Sequence, residues 1–269
     1  MPATRLAPIV LAAALAATAC GGDPATGTAS AEPTTPHQRT PASATPVVDP
    51  GDGGDYSVDI DPADFTSVVD HPYLPKLPGA RWVYRSTAAD GEVEIITVEV
   101  LDQRRVVMGV ETIVVHDVVE TEGGELVEDT YDWFAQDSGG NVWYFGEDTT
   151  AYRDDGTPSA AGAWEAGVGV ALPGIVMPAT PQVTGTGYRQ EFLAGEAEDM
   201  AEVIAVSGKA TVPAGRFDDV ITTRDWTPLE PETVEVKTYA RGVGFVHETK
   251  PAGPDTGAVV ELVEFMPGR

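Results

Sequence analysis

Tyr131-Asp-Trp-Phe-Ala-Gln-Asp-Ser-Gly-Gly-Asn-Val-Trp-Tyr-Phe-Gly-Glu-Asp148 is the densest aromatic stretch of the chain. Two runs rich in Trp, Phe and Tyr flank Ser138-Gly139-Gly140-Asn141. Gly and Asn tolerate the positive φ that tight reversals need, so the stretch predicts a β-hairpin. Trp133 and Trp143 should fall near each other across it, with Phe134 and Tyr144 on adjacent or opposite faces. Aromatic side chains on both faces imply that both are covered, or that one lines a pocket. Trp133, Phe134, Trp143 and Tyr144 are therefore the candidate ligand-binding residues, a wall for an apolar or sugar ligand. Core packing is the alternative.

Outward from this hairpin the apolar period stays near two rather than 3.6. Strands are expected over 92–101, 106–119, 126–137, 141–146, 187–193, 211–213, 219–226, 233–240, 243–249 and 258–265. Asp90-Gly91, Gly123-Gly124, Asp155-Gly156 and Arg241-Gly242 punctuate them. Residues 196–206 mix helical spacing with a strand setting, and the setting favours a strand. Residues 157–182, with Gly and Pro throughout, read as a long irregular loop or lid. The expected fold is all-β: an antiparallel sheet curled into an open or closed barrel. A Gly-x-Gly-x-x-Gly turn, a phosphate loop and βαβ alternation are all missing.

The chain has 269 residues, 16 Lys+Arg against 43 Asp+Glu, and a formal charge of −27. That charge excludes nucleic acid as a partner, because phosphates would repel it. One Cys excludes an internal disulfide framework and Cys-rich zinc modules. At 42% hydrophobic residues the chain can build a core. The organisation expected is a signal peptide over 1–19, a lipidated Cys20 with a flexible linker over 20–55, and one β-rich domain over 56–269.

The N-terminal expectation rests on Arg5, the apolar run from Leu6 to Ala17, and small residues ending at Cys20. A positive start, a short apolar segment and a small-residue end describe an export signal. The run is too short to span a bilayer as a helix. Ala17-Thr18-Ala19-Cys20 resembles the lipobox of bacterial lipoproteins, with Ala17 where Leu is more usual. The resemblance implies cleavage before Cys20, acylation of its sulfur and amine, and a place on the outer face of the cell membrane. From Gly21 to Asp55 the chain is dominated by Gly, Pro, Ala, Thr, Ser and Asp and has no aromatic residue. Such a composition predicts a flexible tether reaching about 30–35 Å.

His71-Pro-Tyr-Leu-Pro-Lys-Leu-Pro-Gly-Ala-Arg-Trp-Val-Tyr84, with Pro173-Gly-Ile-Val-Met-Pro178, Glu196-Ala-Glu-Asp-Met-Ala-Glu202, Val212-Pro-Ala-Gly-Arg-Phe-Asp-Asp219 and Tyr239-Ala-Arg-Gly-Val-Gly-Phe-Val246, resembles a family of uncharacterised secreted bacterial lipoproteins of actinobacterial type. That likeness runs from Asp64 to Glu264 and implies export rather than an activity. The last two elements also resemble periplasmic half-barrel lipoproteins and lipoprotein carriers. This second likeness implies an open sheet curled round an apolar cavity.

Catalytic signatures are weak. His37, His71, His116 and His247 form no close metal-ligand pair, and no Gly-x-Ser-x-Gly occurs. No catalytic residue, metal ligand or cofactor is assigned. The expected function is non-enzymatic: a membrane-anchored lipoprotein binding an apolar or amphipathic ligand or an envelope protein. One alternative is a carbohydrate hydrolase using Asp132 with Glu147 or Asp148 beside the aromatic hairpin. A second is a structural envelope lipoprotein without a small ligand. The acidic run Glu196, Glu198, Asp199, Glu202 reads as a solvated strand edge, with a divalent cation site as the other possibility.

Overall fold

The structure is a computed structural model that describes residues 56–153 and 156–269. The expected signal peptide, Cys20 and linker lie outside the described residues. Eleven strands of six or more residues carry the fold. In chain order they are β1 (Arg81–Thr87), β2 (Val93–Val107), β3 (Val110–Thr121), β4 (Leu126–Asp137), β5 (Val142–Tyr152), β6 (Leu172–Met177), β7 (Met200–Ala205), β8 (Val220–Thr227), β9 (Glu230–Ala240), β10 (Gly244–Ala252) and β11 (Val259–Met266). The single helical element among the described residues is a 3-10 turn, Pro62–Asp64, capped by the Asp61 side chain. No helix among them is long and apolar enough to cross a membrane.

The strands form one antiparallel sheet that closes on itself. Its order is β7-β8-β9-β10-β11-β1-β2-β3-β4-β5-β6. Chain-consecutive strands are neighbours except β6 and β7, and two joins complete the sheet. At the first, β11 returns to β1, with Leu262 opposite Tyr84 and Phe265 opposite Trp82. At the second, residues 188–192 bridge the gap between β6 and β7. Tyr188 and Arg189 pair with Ala201 and Met200, and Glu191 and Phe192 pair with Pro173 and Leu172. Between them the Gln190 amide donates to the Asp199 carbonyl at 2.7 Å. One five-residue segment is thus the seam of the barrel. Gly174 makes it possible: a Cβ there would stand 2.2 Å from the Gln190 carbonyl carbon.

Three expectations change. The 106–119 run is two strands, because Met108 and Gly109 both take positive φ, 50° and 82°. Val107 pairs with Val110 across this two-residue turn, the backbone of a type I′ reversal. An apolar Met in place of Asn hides the turn in the sequence. The 157–182 loop contains the barrel strand β6 and two short pairings, Pro158–Ser159 and Trp164–Glu165, on the edge of β5. Arg81–Thr87, quoted above only as a motif, is a strand with a strict in–out alternation of burial.

The segment before β1 packs onto the barrel. Lys76 N donates to Val69 O, Gly79 N to Val100 O, and Gly242 N to Pro72 O. Its Leu74 and Lys76 side chains reach inward to Phe134, Val176 and Tyr239, around a cavity of about 10 Å³. That is room for about one water molecule.

Candidate functional site

The interior of the barrel carries an unusual amount of buried charge. Successive inward positions alternate along a strand, so Val115, Asp117 and Val119 share one face of β3, and Glu128, Thr130, Asp132 and Phe134 share one face of β4. All seven are buried. Asp132 stands opposite Glu147 in the β4–β5 register, and Asp117 opposite Thr130. Glu191 from the seam and Asp199 just before β7 continue the series; both are buried.

On the other half of the wall the carboxylates are neutralised. Lys237 Nζ on β9 lies 2.9 Å from Glu235, 3.3 Å from Asp225 and 4.0 Å from Glu248. Lys250 Nζ reaches Glu235 at 3.1 Å and Asp255 at 3.8 Å. Burial alone would push Glu235 up, but Lys237 and Lys250 outweigh it and hold the carboxyl at about 2. Burial opposes the charge on Lys237, yet Glu235, Asp225 and Glu248 keep its ammonium protonated well beyond the usual range. Glu248, the more distant partner, is pushed up to about 8, chiefly by burial.

The β3–β5 half has one cation, Lys76, for several carboxylates. Burial lowers Lys76 to about 8, against the pull of Asp132 and Asp117. Its ammonium rests over the Trp82 and Phe134 rings at 5.3 and 5.2 Å, a cation–π arrangement. Burial raises Asp132 to about 6, although Tyr144 donates to it at 2.7 Å. Burial raises Glu128 to about 7, against the Thr130 hydroxyl that donates to it at 3.1 Å. Asp117 is raised well above the carboxylate range by burial, then by Asp132 and Glu128. Glu147 is raised by burial and then by Asp132 and Glu191. Neither oxygen of Glu147 or Asp117 has a hydrogen-bond partner among the described residues. A buried carboxylate without donors sheds its charge by keeping its proton. The carboxyls of this wall are therefore held in the protonated form to higher pH than exposed ones. A substrate would not reach Asp132 or Glu147, each only 1% exposed. No His, Cys, Asp and Glu grouping among the described residues could hold a metal ion.

The four aromatic candidates divide between two faces. Phe134 and Tyr144 point into the barrel and stack at 4.9 Å, with Trp164 edge-on to Tyr144. Trp133 and Trp143 lie on the outer face. Arg105 covers Trp133 at 4.0 Å. Phe65 meets Trp143 edge-on, and Asp137 accepts the Trp143 indole hydrogen at 2.8 Å. Asp148 is exposed while its neighbour Glu147 is buried. His71 is buried, and His116 pairs with Asp129 at 2.8 Å and stacks on Tyr131.

The solvated-edge reading of the acidic run needs correction. Glu198 is buried, accepting from the Gly195 amide and lying 3.8 Å from Arg189. Asp199 faces the interior among Lys237, Glu235 and Asp225. Glu202 pairs with Arg224 on β8. The turn that starts β7 tucks two of the four acids under the seam. The lining also departs from the apolar cavity that the half-barrel resemblance implied. Its signal was present in the sequence, since Asp117, Glu128 and Asp132 sit in phase with the β-branched face of their strands.

No protein-family model matches this chain, and no curated protein does. Among solved structures the chain is similar to a protein assigned as exported, with a YmcC-like fold, from Bacteroides fragilis. The identity is 15% and the TM-score 0.41, over 72% of this chain and 99% of that one. It is also similar to a protein assigned as a lipoprotein from Parabacteroides distasonis, at 14% identity and a TM-score of 0.39, over 72% and 98%. At such values the functional argument rests on this chain's own residues.

Proposed function

We propose that the chain is a non-enzymatic, extracytoplasmic lipoprotein, anchored through acylated Cys20, whose barrel presents its outer surface to a partner protein of the cell envelope. The observation that carries the reading is Arg5 and the apolar run to Ala17, ending in Ala17-Thr18-Ala19-Cys20. Two acyl chains hold a protein stably where one does not. The interior supports the outer-surface part of the reading. Charged groups line it, a poor lining for an acyl chain. The carbohydrate-hydrolase alternative would use the cross-strand pair Asp132 and Glu147, and their burial counts against it.

The test is the intact mass of the membrane-extracted protein, with fractionation of Cys20→Ser. A mature chain beginning at Cys20 with added diacylglycerol and acyl mass is expected, and Cys20→Ser should leave the membrane fraction. A free Cys20 thiol in the membrane-extracted protein would overturn the anchor. Native mass spectrometry of the same sample distinguishes ligand from partner: a stoichiometric lipid inside the barrel would overturn the outer-surface reading.

A further inference from the structure

We propose that Val106 and Met108 on the β2–β3 hairpin, with Val168 and Val170 on the adjoining loop, form a patch on the outer wall that rests against the bilayer. The inference rests on the anchor reading above. The four side chains are 66%, 38%, 61% and 67% exposed. The two loops touch, since a Cβ on Gly167 would come within 2.7 Å of Met108 Cγ. Arg105 braces them, pairing with Glu165 at 2.5 Å while lying over Trp133. Exposed apolar side chains gathered on two touching loops mark a contact surface.

Met108 occupies a conformationally costly position. It holds φ of +50°, a conformation unfavourable for a side chain with a Cβ. Asn-Gly is the usual pair for such a turn. Here the strained position exposes a flexible thioether instead, a group that adapts to irregular apolar surroundings.

The path of the chain argues for the bilayer as occupant. The Tyr56 hydroxyl donates to the Pro173 carbonyl, three residues beyond Val170. Pro62 then lies 3.0 Å from the position a Gly109 Cβ would take. The chain thus enters the barrel beside the patch. Cys20 precedes Tyr56 by 36 residues; the expected tether reach of about 30–35 Å would let this flank meet the membrane that holds the anchor. The rim carries both signs: Arg104 is exposed at the root of the hairpin, and Glu111, exposed, stands opposite Val106.

The test uses the full lipidated chain in phosphatidylcholine vesicles containing brominated acyl chains. A fluorophore is placed on Val170→Cys, on Met108→Cys, or on Ala89→Cys at the far end of β2. With Cys20 in a thioether, the introduced thiol is the only one labelled. Insertion of the patch by about 5–10 Å predicts a roughly two-fold loss of emission at positions 170 and 108 and none at 89. Adding Val168→Asp should abolish the loss at 108 while the circular dichroism stays unchanged. Emission at 170 and 108 equal to that at 89, on protein that floats with the vesicles, overturns the bilayer contact and leaves the anchor standing. Protein that fails to float overturns both.

Discussion

Replacing Glu128 by Gln should stabilise the barrel, and by an amount that grows with pH. Glu128 is 2% exposed, and burial raises its carboxyl from 4.5 to about 7. The folded state therefore holds a proton that the unfolded chain gives up between those two values. A group with a raised folded pKa stabilises least at high pH: its contribution falls as pH rises from 4.5 through about 7 and is constant above that. At 1.36 kcal/mol per unit, the charged carboxyl costs about 3 kcal/mol above pH 7 and about 1 kcal/mol at pH 5. Gln has the same shape, can keep the Thr130 hydroxyl as donor, and carries no charge. Urea unfolding followed by tryptophan fluorescence should show Glu128→Gln gaining about 3 kcal/mol near pH 8.5 but only about 1 kcal/mol near pH 5. Equal gains at the two pH values, or a loss at the higher one, would refute the claim that burial of Glu128 outweighs its hydrogen bond from Thr130.

Gly174→Ala should open the seam, because its Cβ would meet backbone atoms of Gln190 and Glu191 within 2.5 Å; a loss of about 3 kcal/mol or more in thermal or urea unfolding is expected. Lys237→Met should cost about 3–5 kcal/mol at neutral pH by taking their cation from Glu235 and Asp225. The same variant should recover part of that loss near pH 5, where the acids can take up protons, and a pH-independent deficit would contradict this. Met108→Asn should raise stability by about 0.5–1 kcal/mol, since Asn tolerates the positive φ at this turn; a drop in the urea midpoint would show that Met108 packing on the Gly167 loop outweighs the strain.

Much of the architecture was legible in local chemistry. Alternating β-branched residues and Gly-containing turns gave most of the strand positions, because a half-buried strand must alternate and a tight turn must tolerate positive φ. Met108-Gly109 escaped because its first residue carries none of the usual turn chemistry. Strand β6 escaped because Pro173 and Gly174 look like loop residues, and only the backbone of 188–192 pressing against Gly174 explains the glycine. The aromatic hairpin was found as an element, but the register places Phe134 with Tyr144 inside and leaves Trp143 to Phe65 outside.

The sequence by itself determined the strand-rich class, the acidic balance and the lipobox-like Cys20, since these depend on composition and short-range order. Closure was a tertiary outcome. The seam joins residues about 10–20 positions apart, and β11 meets β1 across nearly the whole described chain. The charge state of the interior was tertiary too. Asp117, Glu128, Glu147 and Lys237 have ordinary side chains, and only the walls that remove their water, and the cations that do or do not stand beside them, set which ones stay charged.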